Sequence, residues 1–285
     1  RVRARQDSKS IASESYQSSI ATGFRGMQAN NDKTLTLSLG RRIICDFLAI
    51  SRQIPLVTVH REMDVASVVA IRQALSIRPS WTSILTKAFA KVVAARPDLR
   101  RAYLSFPYER LFEYGEVSVD VVCESNLDGE AAVITVPMKN PDTRPLLDFD
   151  RRLDVSRTDP VNKIRRYRRA RLLARLPRVV RHPIWWLTLN AFGFVRRQNF
   201  GTFGVTSIGK WGVESLRPLA PWAILLHYGP VRSNGKLNVL LTYDHRVLDG
   251  SGPAHALVEM ERILQSELVA ELHALASETD VRKAG

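Results

Sequence analysis

Between residues 79 and 137 the apolar residues change their period, and this change restricts the fold more than any other feature of the chain. Pro79-Ser80 opens a segment in which Ile84, Leu85, Ala88, Phe89, Val92 and Val93 make one helical stripe, and Pro97 bounds its end. "EVSVDVVCE" then alternates, with Val117, Val119, Val121 and Cys123 on one face and Ser118, Asp120 and Val122 on the other. Asn126-Leu127-Asp128-Gly129 reads as a turn, and "AAVITVP" follows as the second strand of a hairpin. An amphipathic helix beside half-buried strands points to an α/β chain.

The remaining periodicity agrees. "TLTLSLG" (34–40) alternates like a short strand, residues 41–51 look helical, and "IPLVTVHREMDV" (54–65) reads as a strand behind a proline. Val65, Val68, Val69 and Leu75 have helical spacing. Strands are expected near 202–207, 222–228 and 237–243, and a last helix carries Leu257, Met260, Leu264, Leu268 and Leu272. Residues 1–37 are expected to form a flexible arm or linker, 38–275 a single domain, and 276–285 a polar tail. The sequence shows no internal repeat, no phosphate-binding glycine loop and no leading apolar segment resembling a secretion signal. Cys45 and Cys123 lie far apart in apolar patterns and read as core residues of a protein kept in a reducing cytoplasm.

Charge is concentrated. The chain carries +14, yet residues 151–199 alone hold 14 Lys+Arg against 2 Asp+Glu, a net of +12. A basic segment of this kind suits a local acidic surface. No nucleic acid is expected, because Trp185 and Trp186 sit beside Leu187 in an apolar run.

Chemistry concentrates in "LLTYDHRVLDGSG", residues 240–252. A strand ends in Asp244-His245-Arg246, and Asp249-Gly250 follows at a turn. Histidine is the natural general base near neutral pH, and a rigid strand end can hold its ring in one orientation. Asp249 is expected to lock the turn by pairing with an arginine. No second His or Cys stands at zinc-ligand spacing, so no metal is expected, and no Gly-x-Ser-x-Gly elbow is present.

"DHRVLDG" resembles the signature of the catalytic domain of dihydrolipoamide acyltransferases, the acyltransferase components of 2-oxoacid dehydrogenase complexes. The likeness extends in order through "RRIICDFLAISRQIPLVTVHREMDV" (41–65), "SILTKAFAKVVAARPDLR" (83–100), "NFGTFGVTSIGKWGV" (199–213) and "APWAILLHYG" (220–229). It implies a chloramphenicol acetyltransferase-like two-layer α/β sandwich, a mixed sheet with helices packed on one side. It also implies acyl transfer between coenzyme A and an acceptor thiol, hydroxyl or amine, without an acyl-enzyme. His245 would be the general base. Thr206 stands where the family has an oxyanion-binding serine, and Asp249 would be structural, paired with Arg41. The family's active site lies between subunits of a trimer, with His245 from one protomer and Thr206 from its neighbour. A non-catalytic trimeric scaffold is the remaining alternative, against which intact His245 and Asp249 speak.

The chain departs from the family pattern in three ways. No lipoyl attachment site or peripheral-subunit-binding domain is visible, so a dihydrolipoyl acceptor would have to come from a separate or removed domain. The tail is polar where complex-forming relatives end in an apolar anchor. Aligned with the family it resembles, the chain has a longer connection around 160–198, by about 20–25 residues. In it, Val161, Ile164, Tyr167, Ala170 and Leu173 recur every three residues among arginines. The apolar run 183–195 is too short to span a bilayer. Trp185, Trp186, Arg178 and Arg181 are the expected contacts to an anionic membrane surface, at the inner face of a membrane, or to a hydrophobic acceptor.

Overall fold

The computed structural model describes residues 32–127, 130–158 and 165–284. The turn residues Asp128 and Gly129, and Val161 and Ile164 of the basic segment, lie outside them. From Ser38 onward the contacts group into one compact unit.

Helix α1 (Leu39–Ser51) starts where the Ser38 hydroxyl accepts the Arg41 amide, a side-chain cap on one of the helix's free N–H groups. The expected strand over 34–40 does not form: no sheet includes these residues, and Leu35 and Leu37 are exposed. Alternation makes a strand only where a neighbour accepts its hydrogen bonds, and none does here. Strand β1 (Leu56–Asp64) leads to α2 (Ala66–Ala74) and α3 (Trp81–Ala95). The last is capped by Ser80 and ends short of Pro97, as its stripe predicts.

A small hairpin, β2 (Arg101–Leu104) with β3 (Arg110–Glu113), stands apart from the main sheet. Then come the antiparallel pair β4 (Ser118–Leu127) and β5 (Glu130–Lys139), and α4 (Leu146–Thr158). The basic segment is helical: α5 (Arg165–Ala174), α6 (Arg178–Asn190) and α7 (Gly193–Phe200). Strands β6 (Phe203–Ser207), β7 (Ile224–Tyr228) and β8 (Lys236–Asp244) precede α8 (Ser251–Ile263). A single π-turn at Leu264–Leu268 joins α8 to α9 (Val269–Ala284), which carries helix through the polar end of the chain.

The six-stranded sheet runs β1-β8-β7-β6-β4-β5, with β4/β6 and β6/β7 parallel and the other pairs antiparallel. On one face Val119, Val121, Phe203, Val205, Leu226 and Leu241 meet Phe89, Met260 and their neighbours from the helical layer. This is the mixed sheet and helical layer expected from the sequence. The opposite face is also partly covered. Ile50 of α1, Trp185 and Leu189 of α6 and Phe200 of α7 pack there on Trp222 and Leu225. Asp120, on the outward face of β4, is therefore fully buried.

Three arginines of the basic segment fasten this second layer. Arg166 grips Asp120 with contacts of 2.6 and 2.8 Å. Arg181 Nε lies 2.9 Å from Asp46 on α1. Arg196, itself buried, donates to the carbonyls of Tyr103 and Leu189. The two ion pairs add little net stability but strongly disfavour other arrangements, because Asp120 or Asp46 alone would be a buried, unpaired charge.

Candidate active site

His245 follows the last residue of β8, and its backbone is fixed. Its amide donates to Pro55 O at 3.0 Å, while the Asp244 amide donates to Ala223 O at 2.9 Å. Asp244, fully buried, accepts Arg246 Nε at 3.0 Å, Arg246 Nη2 at 2.8 Å and the Arg246 amide at 3.0 Å. The Arg246 guanidinium lies 4.2 Å over the Tyr103 ring, a cation–π contact that holds the turn to β2. Asp244, not Asp249, thus provides the arginine lock expected at this turn. The residue between Asp244 and Arg246 is left to project, and the His245 side chain is half-exposed, with Nδ1 4.0 Å from Asp249 Oδ1.

Asp249 itself is almost wholly in solvent, four residues along at the entry to α8. Among the described residues no ion pair joins it to Arg41 within the chain; the ring nearest its carboxylate is that of His245. Asp249 also acts on Tyr243: burial first, and then the Asp249 charge, raise that phenol above its ordinary pKa.

Thr206 sits elsewhere. It is opposite His227 on β7, and His227 is opposite Leu240 on β8, five residues before His245. Strand geometry then separates Thr206 and His245 by roughly 16 Å along the sheet and about 10 Å across it. One chain does not bring the two groups together.

His227 was not singled out by its sequence context. It shares the second face with Leu225 and is buried beside Thr206. Its Nε2 lies 2.8 Å from Thr242 Oγ1, which lies 2.8 Å from Thr58 Oγ1, making a polar chain across three strands. Burial lowers its pKa to about 4, so the ring is neutral at pH 7. Only the pairing of β6 with β7 places it near Thr206, and that pairing has no local signature.

The basic segment needs correction at two positions. Trp185 is buried, its ring 5.4 Å from Phe47 and 6.4 Å from Phe200 by centroids, and so faces protein rather than lipid. Arg181 is committed to Asp46. Trp186 and Arg178 do stand on the surface. Among the described residues no helix is long and apolar enough to cross a membrane. Cys45, expected in the core, is exposed, while Cys123 is buried. No group of three or more His, Cys, Asp or Glu side chains is placed to hold a metal ion among the described residues.

A cavity of about 320 Å³ opens between the second face of the sheet, α1 and the helices of the basic segment. Thr206 is on its wall, and Phe47, Val122, Trp185, Trp222 and Leu225 supply much of its apolar surface. Gly204, two residues before Thr206, lets the Trp222 indole lie on the strand: a Cβ there would sit 2.6 Å from the indole and 2.9 Å from Leu225.

No family model matches the sequence, and no curated protein matches it. Solved structures do. The dihydrolipoamide acetyltransferase of Azotobacter vinelandii superposes with a TM-score of 0.61 at 18% identity, covering 86% of this chain and 96% of that one. A truncated catalytic core of the 2-oxoacid dehydrogenase multienzyme complex of Thermoplasma acidophilum gives 0.61 at 18% identity, over 82% and 99%. The cubic core of a pyruvate dehydrogenase multienzyme complex gives 0.59 at 17% identity, over 86% and 96%. The chain has the fold of the dihydrolipoamide acetyltransferase catalytic cores of 2-oxoacid dehydrogenase complexes.

Proposed function

We propose that this chain is a CoA-dependent acyltransferase that moves an acyl group between acyl-CoA and an acceptor hydroxyl, amine or thiol in a ternary complex. The observation that carries the reading is the fixed, half-exposed His245, set between the paired Asp244 and Arg246 at the end of β8. His245 takes the acceptor's proton as the acceptor attacks the thioester carbonyl carbon. The Asp249 carboxylate stands 4.0 Å from Nδ1, on the turn that carries the histidine. The carbon becomes tetrahedral, and its oxyanion accepts a hydrogen bond from the Thr206 hydroxyl. Collapse breaks the carbon–sulfur bond, and the departing CoA sulfur takes the proton from His245.

The separation of Thr206 from His245 within one chain supports a homotrimer whose sites lie between protomers. The Azotobacter vinelandii dihydrolipoamide acetyltransferase offers a parallel: a serine, a histidine and an asparagine four residues after that histidine have been studied for their roles in its mechanism. The 245/249 spacing here is the same. The test is release of free CoA thiol from acetyl-CoA with small hydroxyl, amine and thiol acceptors. No release with any of them would refute the reading.

A second reading, a dihydrolipoyl acceptor on a separate or removed domain, is favoured by the shared fold. Turnover that appears only with dihydrolipoamide would select it.

The outer side of α6 presents Val180, Ile184 and Leu187 at helical spacing, with Trp186 and Arg178 nearby. We assign this side to an anionic membrane surface, at the cytoplasmic face. Flotation with anionic liposomes tests it: protein that stays at the bottom of the gradient overturns the assignment.

A further inference from the structure

We infer that the cavity beside Thr206 is an acyl-chain pocket, and that the helices of the basic segment make the enzyme selective for aliphatic acyl groups well beyond acetyl. The inference rests on the acyltransferase reading and adds the substrate class.

Three observations converge. First, Thr206 lies on the cavity wall. A thioester whose carbonyl oxygen is held by the Thr206 hydroxyl therefore has its acyl tail at the cavity. Second, the surroundings are largely apolar: Phe47, Val122 and Leu225 carry no donor or acceptor, and the Trp222 indole N–H, buried without a hydrogen-bond partner, lies on the Asp120 side of the wall. Third, the charge nearest the cavity is neutralised. Arg166 lines the cavity but is committed to Asp120, so it is not offered to the phosphates of CoA or to a lipid headgroup.

The roof of the cavity is built by Ala170 and Trp185, from the helices of the basic segment. Arg166 ties this roof to β4 and Arg181 ties it to α1, so the space is held open by buried ion pairs. A volume of about 320 Å³ is at the lower end of the range for small-molecule sites. It is about ten times the share of one water in the liquid, room for a chain of several methylenes. The acceptor approaches from the side of the neighbour's His245 and leaves the cavity to the acyl group.

The experiment is a chain-length series of acetyl-, butyryl-, hexanoyl- and octanoyl-CoA, read both by calorimetric Kd and by kcat/KM with one fixed acceptor. Burial of each methylene should tighten Kd about two- to fourfold, and kcat/KM should rise in parallel. Ala170→Trp, with its fold checked by circular dichroism, should cut the octanoyl-to-acetyl ratio at least about tenfold by filling the roof. Should that variant not fold, the wild-type series decides alone. Flat Kd across the series overturns the pocket, whatever the acceptor dependence. Absence of turnover with every acyl-CoA overturns the acyltransferase reading instead, and the binding series separates the two failures because it needs no turnover.

Discussion

Asp244 and Arg246 grip each other across His245, with Nε–Oδ1 at 3.0 Å and Nη2–Oδ2 at 2.8 Å. This two-residue clamp spends the charges flanking the histidine on the turn itself and leaves the half-exposed imidazole free to meet a substrate. His245→Ala should therefore lower kcat by about 10²–10⁴ while leaving oligomer size unchanged by light scattering. Wild-type kcat in that variant would remove the mechanism.

Arg246→Leu tests the clamp rather than the base. Asp244 would be left buried and unpaired, and the cost should be about 3–5 kcal/mol in unfolding free energy, seen by urea titration. A change below about 1 kcal/mol would mean that the pair does not set the turn.

Thr206 offers a graded test. Thr206→Ser keeps the hydroxyl and should hold kcat within about threefold, whereas Thr206→Val removes the donor at constant shape and should cost about 10²–10³. Equal kinetics for both variants would show that the hydroxyl does not touch the oxyanion.

Asp120 and Arg166 predict a pH dependence. Burial raises the Asp120 pKa to about 6, and Arg166 pulls it down from where burial alone would set it. The folded state then binds the proton more tightly than the unfolded chain. This site favours folding at low pH, and its contribution declines as pH rises from about 4 through about 6. Arg166→Met should steepen the decline, destabilising the protein by about 3 kcal/mol at pH 8 and much less at pH 5. Equal loss at both values would contradict the pairing.

His227 predicts the opposite slope. Its folded pKa, near 4, lies below the unfolded value, so its contribution is present above about 6.5 and is lost as pH falls toward 4. His227→Gln should flatten the acid side of a melting-temperature profile. Parallel profiles for variant and wild type would contradict its burial as a neutral ring.

How much of this was legible in the sequence depends on whether the controlling contacts are local. The α3 stripe, the Ser80 cap and the β4/β5 hairpin were readable because their spacing is set within a few residues. The outward face of β4 was not: Asp120 reads as solvent-facing until Arg166, 46 residues away, covers it. Helix α6 carries two apolar stripes, Trp185 and Leu189 facing inward and Val180, Ile184 and Leu187 facing outward. Periodicity alone cannot say which side meets protein, so Trp185 was read as a surface anchor. The Asp244–Arg246 clamp was in view, but Asp249 drew the arginine lock because it flanks the glycine turn. The separation of Thr206 from His245 follows only from strand register.

That separation makes a shared site the central claim, and subunit mixing tests it most directly. Inactive His245→Ala and Thr206→Val proteins, dissociated together and reassembled at equal amounts, should recover about a quarter of wild-type activity. One interface in four then joins an intact histidine to an intact threonine across protomers of a ring. Activity no greater than the sum of the two parents, in mixed oligomers of the correct size, would contradict a site built from two protomers.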